Sequence, residues 1–201
     1  MEIFEVMARL PKVNNYLDIP LQHASDTVLE RMRRQITRKE TTELIRIARE
    51  KVPDITIRTT FLVGYPGETD EEFEELVDFV QEMQFDRVGV FQYSHEESTI
   101  AYEVADDVSA ELKAERSNRL MAVQQEISLA KNEAKVGKTF RVLIDRKEGE
   151  YFVGRTAADS PEVDNEVLIN ATETYVRIGD FVQITITDAN DYDLFGTIAT
   201  S

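Results

Sequence analysis

The chain has 201 residues and a formal net charge of −16, from 39 acidic and 23 basic residues. It contains no cysteine, which excludes disulfides and thiolate metal sites within the chain, and its two histidines, His23 and His95, are too far apart in sequence to suggest a zinc site. The acidic balance argues against RNA as the main partner, and the lack of a membrane-length apolar run or signal-peptide pattern is typical of a cytoplasmic protein.

The region up to Tyr93 predicts alternating helices and strands. Strand, helix, strand, helix, strand is the pattern of parallel βαβ units with right-handed crossovers. Three parallel strands leave one edge and part of a face open, so the region is expected to be the later half of a larger barrel or sheet. In chain order, we expect a helix over residues 2–10, a strand over 16–19 ending at Pro20, a loop over 21–24, helices capped by Ser25 and by Thr37 with Glu40, a strand over 55–62, a helix beginning after Thr69, and a strand over 87–93.

The remainder predicts one long helix and a small β-barrel. After Gly137 the chain changes to short apolar runs separated by turn residues, which is typical of an antiparallel barrel of OB-like or SH3-like type. We place the domain boundary near Lys135, which gives domains of residues 1–134 and 135–201. The expected elements are a polar loop over 94–108, a helix over 109–134 with Leu112, Leu120, Val123 and Ile127 buried, and strands over 140–144, 151–156, 167–170, 181–187 and 194–199.

The stretch Thr59–Thr69 organises the first region. A strand breaks at a Gly-Tyr-Pro-Gly turn and restarts as a helix, with Thr69 and Glu72 spaced for a capping box. Such a turn places backbone N–H groups and the positive end of a helix dipole at the carboxyl edge of the sheet, where parallel α/β folds bind ligands. The alternative is a turn that needs its glycines and proline for geometry alone, and the pattern by itself favours this alternative.

Other polar side chains are candidates at the same edge. Gln22 and His23 follow the first strand and can bond a ribose or carboxylate, although His23 more readily bonds local backbone. Glu68 can accept bonds from an adenosine or favour the helix N-terminus by its charge. Arg31 and its neighbours can bind an anion or complement a helix C-terminus, and the acidic run from Asp70 to Glu75 is interpreted as a solvated helix face. No nucleophile–base constellation and no convincing metal motif emerges.

Several segments together resemble one enzyme family, the radical S-adenosylmethionine methylthiotransferases. The resemblance covers nearly the whole chain, and the combination is specific although each segment alone is not. It implies an α/β fold in which the first region is the C-terminal half of a partial (βα) barrel and the second is a TRAM domain, a small OB-like antiparallel β-barrel. The matching segments are Tyr16–Ser25 with Met32–Arg34, Ile57–Thr69, Phe85–Phe91 with Tyr93–Ser94, and Asp191–Leu194.

The resemblance also implies a chemistry. It is strongest to members that add a methylthio group to the β-carbon of an aspartate in a small-subunit ribosomal protein, using S-adenosylmethionine and two 4Fe-4S clusters. Such enzymes hold the clusters by cysteines, of which this chain has none, so it carries no catalytic or metal-ligating residue and is expected to be inactive by itself. The residues expected at the adenosyl portion of S-adenosylmethionine are Gln22, Thr60, Val63, Gly64 and Glu68.

Charge distinguishes between the partners that the family uses. Residues 135–201 contain seven basic and twelve acidic residues, a net charge of −5, which suits a basic ribosomal protein better than nucleic acid. Two alternatives remain open: a transfer RNA methylthiotransferase, and a non-catalytic acidic binding module, which the absence of cysteine favours. The open sheet edge favours dimerisation of the chain.

Overall fold

The computed structural model of the chain describes residues 2–97, 100–172 and 174–199. The chain divides into two compact units, the first formed by Met1–Ala8 with Leu17–Gln124 and the second by Arg9–Tyr16 with Gln125–Ser201. The division falls within a long helix, upstream of the boundary near Lys135, which stays a prediction. Among the described residues, no helix combines the length and the apolar character needed to cross a membrane.

The first unit contains a three-stranded sheet in the order β1-β2-β3. β2 and β3 run parallel, as predicted, with Thr60 opposite Gly89. The predicted loop over residues 94–108 contains one 3-10 turn, and its Ser98 and Thr99 lie outside the described residues. The elements are α1 (Glu2–Arg9), β1 (Tyr16–Gln22), α2 (Asp26–Arg31), α3 (Arg38–Lys51), β2 (Thr56–Val63), α4 (Asp70–Met83), β3 (Arg87–Gln92), the 3-10 turn (Ile100–Glu103) and α5 (Ala110–Glu133).

Local signals place most helix starts correctly, and the expected end of β1 is wrong. The capping boxes of Thr37 with Glu40 and of Thr69 with Glu72 are both formed. β1, however, continues through Pro20 to Gln22, because a proline that cannot donate to the ladder is tolerated in an edge strand. Ser25 is the N-cap residue of α2, as predicted, but its hydroxyl lies 3.0 Å from that of Thr27 and makes no side-chain cap bond.

The two faces of the sheet differ in burial. Phe61 and Val63 of β2 are fully buried, and the Phe61 ring lies 6.4 Å from that of Phe79 on α4. The alternate residues Thr60 and Leu62 are only half-buried, and Phe91, which pairs with Leu62, is 61% exposed. In a (βα) barrel the helices cover the outside of the sheet, so the less covered face corresponds to a barrel interior.

The second unit is a closed five-stranded barrel in the order β4-β5-β6-β8-β7. Every pairing is antiparallel except that of β6 with β8, which is parallel. Alternating apolar residues such as Val142, Ile144 and Ile184 form its core. The α/β class and the small barrel are therefore confirmed. The strands are β4 (Thr139–Glu148), β5 (Tyr151–Arg155), β6 (Val167–Asn170), β7 (Phe181–Ala189) and β8 (Leu194–Ile198).

Candidate functional site

The end of β1 is conformationally strained. Gln22 has a φ of 72°, in the left-handed region, and the N–H of His23 donates to the carbonyl of Leu21 at 3.0 Å. These features define a γ-turn of the positive-φ form, which is rare and costly for a residue other than glycine. Strain of this kind clusters at binding sites, where surrounding contacts hold it. The observation makes Gln22 a functional candidate independently of its sequence context.

The end of β2 is a second left-handed turn, formed by Gly64-Tyr65-Pro66-Gly67. Gly64 and Gly67 have φ values of 73° and 76°, and the N–H of Glu68 donates to the carbonyl of Tyr65 at 2.9 Å. Proline followed by a left-handed glycine is the arrangement of a type II turn. A Cβ on Gly64 would lie 2.3 Å from Cγ of Lys113, so this position accepts only glycine without rearrangement.

Beneath the Gly64 turn lies a buried charged cluster centred on Glu68. One carboxylate oxygen accepts the N–H of Gly64 at 2.9 Å, and the other accepts Nη1 of Arg116 at 2.8 Å. The side chains of Glu68 and Arg116 are 0% and 3% exposed. Their pairing satisfies both charges in a region that excludes water. Glu68 therefore fixes the backbone of the turn from below.

His23 joins the same cluster. Its Nδ1 accepts the N–H of Ser25 at 3.0 Å, which agrees with the expectation of a bond to local backbone. Its Nε2 lies 3.4 Å from the carboxylate of Glu68, and both side chains are fully buried. The residue that follows the β1 turn and the residue that supports the β2 turn are thus in contact, which couples the two strand ends.

The prediction that the acidic run from Asp70 to Glu75 is a solvated helix face is wrong at Glu72. Arg31 binds the Glu72 carboxylate through both terminal nitrogens, at 3.0 and 2.6 Å, and Thr27 donates to it as well. Arg31 also donates to the carbonyl of Gly67 at 3.2 Å. The expectation fails because the N3 carboxylate of the capping box meets an arginine from α2. Arg31 is consequently a clamp on the turn.

We expect this clamp to make stability depend on pH. Burial raises the pKa of Glu72, but hydrogen bonds from Arg31, Thr27 and the Thr69 N–H outweigh it and lower the pKa to about 2. Because the folded pKa lies below the unfolded value, the stabilisation is complete above pH 4.5 and is lost as the pH falls toward 2. Urea unfolding of the wild type and of Glu72→Gln should differ by about 1–2 kcal/mol at pH 7 and converge near pH 2.

A matched control for Glu72→Gln is Glu71→Gln, one residue earlier in the same helix turn. Glu71 is exposed, so its replacement should leave the pH profile unchanged. A difference between wild type and Glu72→Gln that stays constant from pH 7 to pH 2 would contradict the role given to the ion pair.

Two residues of α5 complete the surroundings of the turn and were missed by the sequence analysis. Arg116 holds Glu68, while Lys113 packs its stem over Gly64 and pairs with Asp106 at 2.6 Å. Their spacing could have identified them, because Lys113, Arg116 and the predicted core residue Leu120 share one buried face of the helix. Predicted Ile127 is also buried, whereas Leu112 and Val123 are half-buried.

The predicted site residues occupy different positions around this edge. Thr60 lies on the less covered face of β2, beside Gly89. Asp18 of β1 pairs with Arg58 of β2 at 2.7 Å, and Gln22 is the last residue of β1. Val63 is buried on the helix-covered face, and its carbonyl accepts the N–H of Tyr93. Gly64 and Glu68 form the turn and its support.

The donor set fits an organic ligand and does not fit a metal cluster. The chain has no cysteine, and the described residues contain no group of three or more histidine or carboxylate side chains arranged to hold a metal ion. The candidate residues at this edge of the sheet include an amide at Gln22, a hydroxyl at Thr60 and an apolar side chain at Leu62. Ligand sites in proteins commonly join a few polar groups to an apolar wall in this way.

Comparisons with known proteins agree with the resemblance. The Radical SAM superfamily model matches residues 1–80, and the TRAM domain model matches residues 136–199. The ribosomal protein uS12 methylthiotransferase RimO of Flavobacterium psychrophilum is 57% identical over 98% of this chain and 45% of that protein. The protein of the same name from Christiangramia forsetii is 55% identical over 98% of this chain and 44% of its own length.

Over nearly its whole length, the chain is similar to radical S-adenosylmethionine methylthiotransferases. It spans less than half the length of the curated relatives it matches. Among solved structures, the coproporphyrinogen III oxidase HemN from Escherichia coli, a radical SAM enzyme, has a TM-score of 0.50 and 24% identity, covering 57% of this chain and 27% of that chain. This likeness concerns the fold alone.

Proposed function

We propose that this chain is part of an enzyme that adds a methylthio group to the β-carbon of an aspartate in ribosomal protein uS12. The identity to relatives named for this reaction supports the proposal. The structural observation that carries it is a left-handed residue at the end of each of two neighbouring strands. Gln22 is the last residue of β1, and Gly64 directly follows β2. They build one edge of a ligand site where parallel sheets bind cofactors.

The residues of this edge form the adenosyl-side wall of the S-adenosylmethionine site. Gln22 and Thr60 offer polar side chains to this wall, and Val63 and Gly64 contribute the backbone at the end of β2. Glu68, whose carboxylate is held by Gly64 and Arg116, acts by fixing the turn. When bound beside its cluster, S-adenosylmethionine supplies the radical that removes a hydrogen atom from the target carbon. The thiolates for both 4Fe-4S clusters come from outside this chain, which by itself is inactive.

Replacing Gln22 with glycine tests this wall by separating affinity from stability. Glycine adopts φ 72° without strain, so the free energy of unfolding should stay constant or rise by up to about 1 kcal/mol. S-adenosylmethionine affinity, measured by calorimetry on the full-length enzyme with its clusters, should fall about threefold to tenfold, the effect of one lost hydrogen bond. Thr60→Val should lower the affinity by a similar factor.

Two variants serve as matched controls. Asp54 also has a left-handed φ, 58°, but it precedes β2 at the opposite end of the sheet, so Asp54→Gly relieves the same kind of strain away from the site. Thr42 is half-buried on α3, so Thr42→Val repeats the threonine-to-valine change away from the sheet. Unchanged affinity in both Gln22→Gly and Thr60→Val would refute the proposed wall.

The barrel recognises the target protein in this proposal. Its net charge of −5 favours a basic protein and opposes the phosphate contacts that a transfer RNA requires. A ribosomal target places the enzyme in the cytoplasm. The free edge of β1, which has a strand neighbour on one side only within the described residues, supports self-association of the chain.

A further inference from the structure

His23 is a buried side chain to which the proposed wall gives no role. Its imidazole has no exposed surface, so no ligand can touch it, and any part in binding must pass through the residues that it contacts. It directly follows Gln22, the strained last residue of β1 and a residue of the proposed wall. The contacts of His23 therefore bear on how Gln22 is held.

The hydrogen bonding of the His23 ring indicates its tautomer. Nδ1 accepts the N–H of Ser25 at 3.0 Å, so this nitrogen carries no proton and the ring proton lies on Nε2. Nε2 makes no formed hydrogen bond within the described residues, but it lies 3.4 Å from Oε2 of Glu68. Both side chains are fully buried. An N–H that faces a carboxylate is strongly attracted to it where water is excluded, even beyond the usual hydrogen-bond length.

The carboxylate oxygen that faces His23 also holds the turn after β2. Oε2 of Glu68 accepts the N–H of Gly64 at 2.9 Å, and Oε1 accepts Nη1 of Arg116 at 2.8 Å. His23 and Gly64 therefore share one oxygen atom of a carboxylate that Arg116 anchors. Because Gln22 precedes His23, the end of β1 is held against the same atom as the turn after β2.

The backbone before Gln22 has its own anchor. The N–H of Leu21 donates to Oγ1 of Thr59 at 3.3 Å, and the carbonyl of Leu21 accepts the N–H of His23 at 3.0 Å. A left-handed residue with a Cβ persists only where contacts on both sides hold it. Leu21 supplies the anchor before Gln22, and the side chain of His23 supplies the anchor after it.

We propose that His23 is a positioning residue for S-adenosylmethionine binding and acts through Gln22. The attraction between its Nε2–H and Glu68 keeps the γ-turn in the shape that places the Gln22 amide in the adenosyl-side wall. Glu68 stays in place without His23 because Arg116 holds it, so the loss of His23 acts on the β1 side. The inference rests on the proposed function, since it explains how that wall keeps its shape.

Calorimetric titration of the full-length enzyme with S-adenosylmethionine compares two substitutions of His23. Methionine and glutamine have side chains of similar length, but only glutamine carries an N–H donor that can face Glu68. His23→Met should lower the affinity about threefold to tenfold, the effect of losing the Gln22 hydrogen bond. His23→Gln should bind within about twofold of the wild type. Equal affinities of the two variants would overturn the positioning role.

Double variants test whether His23 acts through Gln22. Gln22→Gly already lacks the amide, so adding His23→Met should lower the affinity no further. Adding His23→Met to Thr60→Val should instead multiply the two single effects, because Thr60 belongs to β2 and not to the γ-turn. Multiplied effects in the combination with Gln22→Gly would trace the loss to a general disturbance of the site, and would overturn the proposal.

The results separate the positioning role from the proposed function. If Gln22→Gly and Thr60→Val lower the affinity but His23→Met binds as tightly as the wild type, the positioning role is overturned and the proposed wall stands. If the wild-type enzyme does not bind S-adenosylmethionine, both are overturned.

A measurement on the wild type keeps the test valid if His23→Met does not fold. Nitrogen-15 NMR of the histidine-labelled full-length enzyme reports which ring nitrogen carries the proton, and His23 is assigned by the signal missing in His23→Gln. The proton should lie on Nε2. A proton on Nδ1 would leave Nε2 with nothing to offer Glu68, and would overturn the proposal.

Discussion

Replacing Arg116 with methionine is expected to destabilise the first unit by about 3–5 kcal/mol. The substitution leaves the Glu68 carboxylate, which has no exposed surface, without its cationic partner. It also removes the donors to the Glu68 carbonyl at 3.1 Å and to Asp70 at 2.6 Å. Because the two units need not unfold together, native-state hydrogen exchange of β2 and α4 peptides is the appropriate measurement.

Arg119→Met provides a closely matched control for this prediction. Arg119 lies one turn further along α5, and both guanidinium groups lie 5.5 Å from the ring centroid of Phe73. Its ion pair with Glu74 is about half exposed on each side, so its loss should cost less than about 1 kcal/mol. Equal losses of protection in the two variants would trace the effect to packing on Phe73, and would contradict the importance of the buried pair.

The double variant Arg116→Met with Glu68→Gln tests whether the unpaired charge of Glu68 causes the loss of stability. Neutralising Glu68 removes the uncompensated charge, so the double variant should recover part of the stability lost in Arg116→Met. The glutamine can still accept the Gly64 N–H through its side-chain oxygen, which keeps the support of the turn. A double variant less stable than Arg116→Met would show that the cost arises elsewhere.

Local interactions explain why the sequence predicted the core of the candidate site. The strand, turn and helix from Thr59 onward depend on β-branched residues, on the positive φ of Gly64 and Gly67, and on the capping box of Thr69, all within a few residues. Likewise, the alternating apolar residues of the barrel strands identify its core. Signals that act over such short distances can be recognised from order along the chain alone.

Long-range pairing explains what the sequence did not predict. Arg116 meets Glu68 across 48 positions, and Arg31 meets Glu72 across 41, so neither ion pair has a local pattern. A charged residue on an amphipathic helix is assigned to solvent unless its partner is known. The strain at Gln22 is also invisible in sequence, because it results from β1 continuing past Pro20 to a γ-turn.

Replacing Gly64 with alanine is expected to destabilise the first unit by about 2–4 kcal/mol. A left-handed φ costs a residue with a Cβ about 1–2 kcal/mol, and overpacking against a neighbour costs about 1–3 kcal/mol more. The neighbour is the stem of Lys113, whose Cγ would lie 2.3 Å from the new Cβ. Lys113 is anchored by Asp106, so relief of the overlap requires breaking that ion pair or moving the turn. Hydrogen exchange of the β2 and α4 peptides reports the loss.

Gly67→Ala separates the two contributions, because it lies in the same turn and has nearly the same φ. Its new Cβ would meet only Nε of Arg31, at 3.9 Å, which is ordinary contact. Gly67→Ala should therefore destabilise the first unit only by the cost of a left-handed φ for a residue with a Cβ, about 1–2 kcal/mol. Since the Lys113 overlap accounts for the remainder, Lys113→Ala should restore part of the stability of Gly64→Ala and none of that of Gly67→Ala. Equal costs at the two glycines would mean that Lys113 moves freely aside, and that α5 does not hold the turn in the shape that the proposed adenosyl-side wall requires.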